Sequence, residues 1–387
     1  LSDANGPRRL RPHRYLFLFR IPNSALAART SVNTTTPSAN TLAVGRGASF
    51  LSGGSLLFSS PAEKALAGLL DQGLIDVESG LERELKFSED IADAVSRYLF
   101  AAGGKRVRPL LTLLTAQWGE GINKNVIRAA QVIELTHLAT LYHDDVMDEA
   151  AQRRGVDATQ TVWGNSVAIL AGDLLFARAG SMVASLGPDA IARQAATFER
   201  LVLGQMRETV GPKPGQEPID HYLGVLSDKT GSLIALSAQM GVLMSGGPTE
   251  LLPAITRFGE KVGIAFQLVD DVIDLSDRGS GTGKPPGTDV RKGVTTLPML
   301  YLEQAAPSDP GASKLLTQLR RGTAGEASEA EFHASIEALR KHEVTKRTMD
   351  KAKAMAEEAI TELARAPKGI VTNALTRFAH QIVDRSY

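Results

Sequence analysis

The 387-residue sequence predicts an all-α fold. Apolar residues recur at helical spacing through nearly all of residues 60–387, Gly and Pro gather between those stretches, and alternating strand patterns with hairpin turns are absent. No motif recurs at a fixed period, so one large domain of about a dozen helices is expected rather than a solenoid.

Ser60-Pro61-Ala62-Glu63 opens the first helix, with Ser as N-cap, Pro at the first helical position and Glu at the third. That helix is expected over 61–85, followed by one over 88–101 up to Gly103-Gly104. Helices over 106–118 and 123–151 follow, and between Ile122 and Arg154 neither Gly nor Pro interrupts the second. Next come 164–185 and 188–210, the latter ended by Gly211-Pro212-Lys213-Pro214. Stretches 218–227 and 230–245 lead to Gly246-Gly247-Pro248, and 249–275 runs into a Gly/Pro loop from Asp277 to Lys292. Helices over 295–305, 311–320, 327–365 and 370–385 complete the chain.

Residues 1–59 stand apart. After Asp3 no acid appears until Glu63, whereas seven Arg and many Ser and Thr do. That composition fits an organelle transit peptide or an unstructured extension, and the folded domain is placed over 60–387. Lys plus Arg and Asp plus Glu both total 43, so no nucleic-acid surface is expected. The absence of Cys excludes disulfides and thiolate metal sites, and it fits a reducing compartment. The best candidate for a membrane span, residues 167–186, carries Asp173 and Arg178, so no transmembrane segment is expected.

The chemistry concentrates in two helices. In the first, His137, Thr140, Asp144 and Asp148 form one polar stripe on an otherwise apolar helix, with Asp145 beside them. The second repeats the spacing: Gln267, Asp270, Asp271 and Asp274 recur at i, i+3, i+4 and i+7. Carboxylates so close would repel and protonate unless a cation or donor held them. Oxygen donors in this pattern suit Mg²⁺, which takes few carboxylates and keeps waters and phosphate oxygens. Two such helices face to face would form a cage of six carboxylates around several cations, and a diphosphate is the obvious anion for those cations.

Basic groups answer the acids. Gly103-Gly104-Lys105-Arg106-Val107-Arg108-Pro109 places cations at a helix start, with Lys105 and Arg108 on one face, where an anion is favoured. Arg153-Arg154-Gly155 offers two forked donors, for phosphate oxygens or for Asp148 and Glu149. Lys229-Thr230 begins a further helix, and Gly283-Lys284-Pro285 lies in a Gly-rich loop that suits a lid.

Together these motifs resemble the all-trans polyprenyl diphosphate synthases, in particular the long-chain bacterial type. Gly103–Pro109, His143-Asp-Asp-Val-Met-Asp148, Arg153–Gly155, Gly172-Asp173, Lys229-Thr230, Phe266–Asp274 and Gly283–Pro285 match that family's motifs in order, over about residues 65–387. The resemblance implies a helical bundle around a deep central cavity, a homodimer, and head-to-tail condensation of isopentenyl diphosphate with an allylic diphosphate. It implies about three Mg²⁺ ions when substrate is bound. On this resemblance Asp144, Asp148 and Asp270 ligate metal, with Asp145, Asp271 and Asp274 completing the shells and Glu208 holding a metal-bound water. Arg153, Lys229 and Lys284 bind the allylic diphosphate, with Thr230 and Gln267 beside the reacting carbon. Lys105, Arg108, His137 and Arg154 hold isopentenyl diphosphate. Many relatives carry Lys where this chain has Val294, which leaves Arg291 or Lys292 to replace it. Bacterial long-chain members lack organelle presequences, so a cytoplasmic enzyme of the quinone side-chain class is expected, with organelle import through residues 1–59 as the alternative. Small residues at Ala139 and Thr140 imply an open cavity floor and a long product. A geranylgeranyl synthase, a catalytic subunit of a heteromeric synthase, a terpene cyclase and a non-catalytic regulatory subunit are the alternatives.

Overall fold

Ser60 caps the first helix. Its Oγ accepts from the Glu63 N–H at 3.2 Å, and Glu63 Oε2 accepts from the Ser60 N–H at 3.1 Å. This computed structural model describes residues 60–276 and 286–384. In it α1 (Pro61–Glu84), α2 (Asp90–Ala101), α3 (Val107–Thr115) and α4 (Lys124–Met147) lead to a short hairpin of β1 (Gln152–Arg153) and β2 (Val156–Asp157). There follow α5 (Thr159–Trp163), α6 (Asn165–Ala184), α7 (Pro188–Val210), α8 (Pro218–Leu226), a π turn (Ser227–Gly231), α9 (Ser232–Met244) and α10 (Leu252–Asp274). The chain closes with α11 (Thr288–Arg291), α12 (Leu297–Ala305), α13 (Pro310–Thr323), α14 (Glu329–Lys341), α15 (Glu343–Glu362) and α16 (Ile370–Val383). The fold is all-α. The expected extension over 1–59 and the lid motif around Lys284 lie outside the described residues.

The bundle is organised around α9, which is buried on almost every side, as a helix without a polar face must be. Its Leu233, Leu236 and Met240 join one apolar cluster with Val132, Ile133 and Leu135 of α4. Its Ile234, Ala238 and Val242 join a second with Phe258, Val262 and Val269 of α10. Each fully buried Leu or Ile contributes roughly 1.5–3 kcal/mol. Small residues let α9 and α10 approach closely. A Cβ on Gly259 would stand 2.5 Å from Ala235 Cα, and one on Gly263 would stand 2.5 Å from Gly231 Cα. The two acid-bearing helices are thus fixed against one shared element.

By length and composition α6 is apolar enough to cross a membrane, despite Asp173 and Arg178. Its packing explains the composition. Ala168, Ala171, Leu175, Ala179, Met182 and Val183 are buried, on the side where α6 packs against α4, while Ile169 and Leu170 remain 42% and 59% exposed. On α7, Ile191, Val202, Leu203, Met206 and Val210 are exposed as well.

Four expectations need correction. The helix predicted over 123–151 ends at Met147, because Glu149 adopts φ 49° and the chain turns into the hairpin. The hairpin itself was not expected from the sequence. Gln152 pairs with Asp157 and Arg153 with Val156, and the turn residues Arg154 and Gly155 both have positive φ, as a type I′ turn requires. The helix predicted over 327–365 breaks at His342, whose ψ of 152° is extended and whose Nδ1 accepts from the Val344 N–H at 3.3 Å. No Gly or Pro announces that break. Finally, Lys229-Thr230 does not begin a helix but lies inside the π turn joining α8 to α9.

Candidate active site

The last turns of α4 sort their acids by direction. Asp144 is half-buried and Asp148 exposed, while the Asp145 side chain is completely buried. Arg153 Nε donates to Asp145 Oδ1 at 2.7 Å, and its Nη2 lies 2.5 Å from the same oxygen. Arg153 therefore pairs with Asp145, not with Asp148 or Glu149. Gln160 Nε2 donates to the Asp145 and Ala150 carbonyls at 2.8 and 2.6 Å, fixing the end of α4 against α5. His143 turns toward α6, with Nε2 3.0 Å from the Ile169 carbonyl and 3.3 Å from Asp173 Oδ1.

Asp144 faces charge. Burial lifts its carboxyl to about 6; Lys229 opposes the rise, while Asp148 and Glu208 add to it. Lys229 Nζ donates to Glu208 Oε2 at 2.6 Å. Burial lowers the Lys229 ammonium, but Asp144, Glu208 and Asp148 outweigh it and leave the group above its ordinary value.

The end of α10 repeats the arrangement. Asp271 is 2% exposed, and Tyr222 of α8 donates its hydroxyl to Asp271 Oδ2 at 2.6 Å. Gln267 Nε2 stands 3.5 Å from Asp271 Oδ1. Burial pushes the Asp271 carboxyl up to about 8, and Asp289 and Asp270 push the same way. Asp274 Oδ2 accepts from the Asp289 N–H at 3.0 Å, tying α10 to α11. Asp270 is half-buried, as are Thr230 and Gln267. Among the described residues no three His, Asp or Glu side chains converge on one point. One acid of each motif, Asp145 and Asp271, turns inward, and Asp274 accepts from a backbone N–H.

The two acid groups are connected. Lys292, beyond α11, donates from Nζ to the Asp148 carbonyl at 2.9 Å, and the charge of Glu208 acts on both Asp144 and Tyr222. Arg291 points elsewhere. It donates to the Pro286 carbonyl at 3.0 Å, pairs with Glu329 at 2.7 Å, and covers the Phe332 ring at 5.0 Å. Of the two candidates to replace a lysine at 294, Lys292 reaches the backbone of the first acidic motif, whereas Arg291 pairs with Glu329.

The second cationic group surrounds Glu134. Arg106 is buried at the N-cap of α3 with φ 50°, bridging Glu78 and, at 3.0 Å, Glu134. Because α3 begins only at Val107, Lys105 precedes the helix and is exposed, so it does not share a helix face with Arg108. Arg154 donates to the Leu99 carbonyl at 3.0 Å and to that of Gly103. Burial lowers the Arg108 guanidinium to about 10; Glu134 resists this and Arg154 reinforces it. Arg108 Nε is buried with no hydrogen-bond partner among the described residues. Burial, then Arg108 and Arg154, drive the His137 imidazole well below its ordinary range, so it is neutral. Several crowded guanidinium groups and one orphaned donor suit an anion with several oxygens.

The arrangement missed by sequence reasoning includes Tyr222, Asp289 and the Glu78–Arg106–Glu134 bridge. Nothing in their local spacing marks them, since each acts on a residue far away in the chain. Ala139, expected at an open floor, is completely buried in the cluster that includes Ala171 and Leu175 of α6, whereas Thr140 is half-buried.

The family model for polyprenyl synthetase matches residues 89–336, which contain both acid groups and most of the cations. The chain belongs to the polyprenyl synthetase family. It is therefore a prenyltransferase. Nonaprenyl diphosphate synthase of Mycobacterium tuberculosis is 42% identical over 324 residues, spanning 84% of this chain and 95% of that protein. Among solved structures, a polyprenyl synthase from Caulobacter crescentus, complexed with calcium and isoprenyl diphosphate, superposes with a TM-score of 0.75 at 29% identity, covering 83% of this chain and 97% of the other. Geranylgeranyl pyrophosphate synthase of Corynebacterium glutamicum, likewise with calcium and isoprenyl diphosphate, gives 0.72 at 40% identity, covering 85% and 98%. These family members carry a divalent cation with an isoprenoid diphosphate, and the helical bundle here is the isoprenoid synthase fold.

Proposed function

We propose that this prenyltransferase joins isopentenyl diphosphate to an allylic diphosphate, head to tail and repeatedly, to make a long-chain all-trans polyprenyl diphosphate of the quinone side-chain class. The observation that carries this reading is the separation of two cation sets. Lys229 stands with Asp144 and Asp148, and Lys292 holds the Asp148 carbonyl, while Arg108 and Arg154 gather around Glu134 with neutral His137 beside them. Two sets suit two diphosphates, whereas a cyclase acting on one substrate needs only the first.

The residues fit Mg²⁺. Their donors are all oxygen, and the lifted Asp144 carboxyl is a group that a cation would return to its charged form. Asp144, Asp148 and Asp270 would hold the ions, with Glu208 alongside. Asp145, Asp271 and Asp274 already serve Arg153, Tyr222 and the Asp289 N–H, and position the others. Bound Mg²⁺ neutralises the diphosphate that must leave the allylic carbon. Lys229 and Lys292 hold that diphosphate, and Thr230 and Gln267 line the approach to the reacting carbon. Arg108 and Arg154 orient isopentenyl diphosphate, with Lys105 at the edge. Neutral His137 donates or accepts a hydrogen bond there without adding charge. The departing diphosphate takes the proton lost when the new double bond forms.

The exposed apolar faces of α6 and α7 support a homodimer, because Leu170, Leu203 and Met206 in water cost free energy that a second copy would recover. The long product is supported by the nonaprenyl relative, while the 40% identity to a geranylgeranyl synthase favours a shorter one. Chromatography of the dephosphorylated product decides between them. A product longer than geranylgeraniol is expected from the purified chain, and no consumption of isopentenyl diphosphate would contradict the reaction itself. An aromatic ring at Thr140 or Ala139 should shorten the product, and an unchanged distribution in both Thr140→Phe and Ala139→Phe refutes the small-residue floor.

A further inference from the structure

The π turn Ser227–Gly231 is gripped from two sides. Arg200 of α7 donates from Nε to Asp228 Oδ1 at 3.0 Å, from Nη1 to Glu260 Oε1 of α10 at 2.5 Å, and from Nη2 to Ser227 Oγ at 3.4 Å. Arg207 donates to the other carboxylate oxygen of Asp228, and the Asp228 carbonyl accepts from Ser232 Oγ at 2.6 Å. Both oxygens of Asp228 and its main chain are thereby held. Glycines bring the backbones close enough for this. A Cβ on Gly204 would stand 3.0 Å from Asp228 Cβ and from Lys229 N, and one on Gly231 would stand 3.0 Å from Glu260 O.

The residue after Asp228 is Lys229, whose ammonium stands with Glu208, Asp144 and Asp148. A π turn inserts one residue into a helix and is rarely kept without support. Relaxation to regular α-helical pairing would rotate Lys229 by about 100° relative to α9, away from Asp144. Among the described residues Arg200 itself meets only Asp228, Glu260 and Ser227 through its hydrogen bonds. We infer that Arg200 is a positioning residue: by clamping Asp228 to Glu260 it holds the π turn and aims Lys229 at the acidic end of α4.

This rests on the proposed role of Lys229 in holding the allylic diphosphate. The test measures KM for the allylic and isopentenyl substrates separately in wild type, Arg200→Met, Arg200→Lys, Asp228→Asn, Lys229→Ala and the double variant Arg200→Met with Lys229→Ala. Arg200→Met and Asp228→Asn are expected to raise the allylic KM about tenfold or more and to leave the isopentenyl KM within about twofold. Arg200→Lys, able to reach one acid but not both, falls between. In the Lys229→Ala background, Arg200→Met adds nothing to the allylic KM. Asp228→Asn carries the test alone if Arg200→Met does not fold. An equal rise in both KM values, an undiminished effect without Lys229, or unchanged kinetics overturns the inference. If Lys229→Ala leaves the allylic KM unchanged, the assignment of Lys229 falls first and the inference with it. A silent Arg200→Met beside an impaired Lys229→Ala defeats the inference alone.

Discussion

The Tyr222 hydroxyl lies 2.6 Å from Asp271 Oδ2, a bond that ties α8 to α10 beneath the acidic end of α10. It has a counterpart in α4, where Arg153 holds Asp145 at 2.5 Å. In each motif the aspartate one residue after the first turns into the protein and is held by a polar side chain. Helix geometry explains the matching choice: i and i+4 lie about 40° apart around the axis, whereas i+1 lies about 100° away.

That burial has a consequence for stability. The folded value of Asp271, about 8, lies above its ordinary 3.8. The group's favourable contribution is therefore complete below 3.8, is lost as pH rises toward about 8, and changes no further above that. The slope is at most about 1.4 kcal/mol per pH unit. With divalent cations chelated, the melting temperature of the wild type should fall more between pH 5 and pH 8 than that of Asp271→Asn. Parallel curves would show that Asp271 is not buried as described.

Among the described residues Arg106 alone forms ion pairs with Glu78 and Glu134, and its side chain is 6% exposed. Removing it takes the ion-pair partner from Glu78 and leaves Glu134 with only the more distant charges of Arg108 and Arg154, in a poorly solvated place. Arg106→Met is expected to cost about 3–5 kcal/mol in urea unfolding. A loss under about 1 kcal/mol would mean that water reaches the pair freely.

Arg291 and Lys292 should separate cleanly. Arg291→Ala breaks the contacts with Glu329, Pro286 and Phe332 and lowers stability by about 1–3 kcal/mol. Lys292→Ala should leave melting unchanged and raise the allylic KM about three- to tenfold. The reverse pattern would assign the missing lysine's role to Arg291.

Leu170 is 59% exposed and Met206 57% exposed, on the apolar sides of α6 and α7. Charge at the centre of an interface built from them would not be compensated. Sedimentation should show dimers for the wild type and monomers for Leu170→Glu with Met206→Glu. Monomeric wild type at micromolar concentration would remove the proposed dimer.

Much of this was legible from spacing alone. The helical class, the two acid-bearing helices and the cations of Gly103–Pro109 and Arg153-Arg154 follow from period and residue type. What stayed hidden was tertiary. Lys229 sits in a π turn because α7 and α10 hold Asp228 and Glu260 through Arg200, and no local pattern encodes that clamp. The hairpin at Arg154-Gly155 was hidden because Arg is a rare residue at positive φ; its carbonyl partners, Leu99 and Gly103, belong to distant sequence. The outward or inward direction of each aspartate was implicit in the helix but needed neighbours to give it meaning.

In the proposed reaction the outward acids of α4 and α10 would hold Mg²⁺ for departure of the allylic diphosphate. The most direct test of this is the initial rate of labelled isopentenyl diphosphate incorporation, with Mg²⁺ and with excess chelator, in wild type, Asp144→Asn and Asp270→Asn. Incorporation is expected only with Mg²⁺, with a loss of at least about 100-fold in either variant. Full incorporation in chelator, or wild-type rates in both variants, would contradict it.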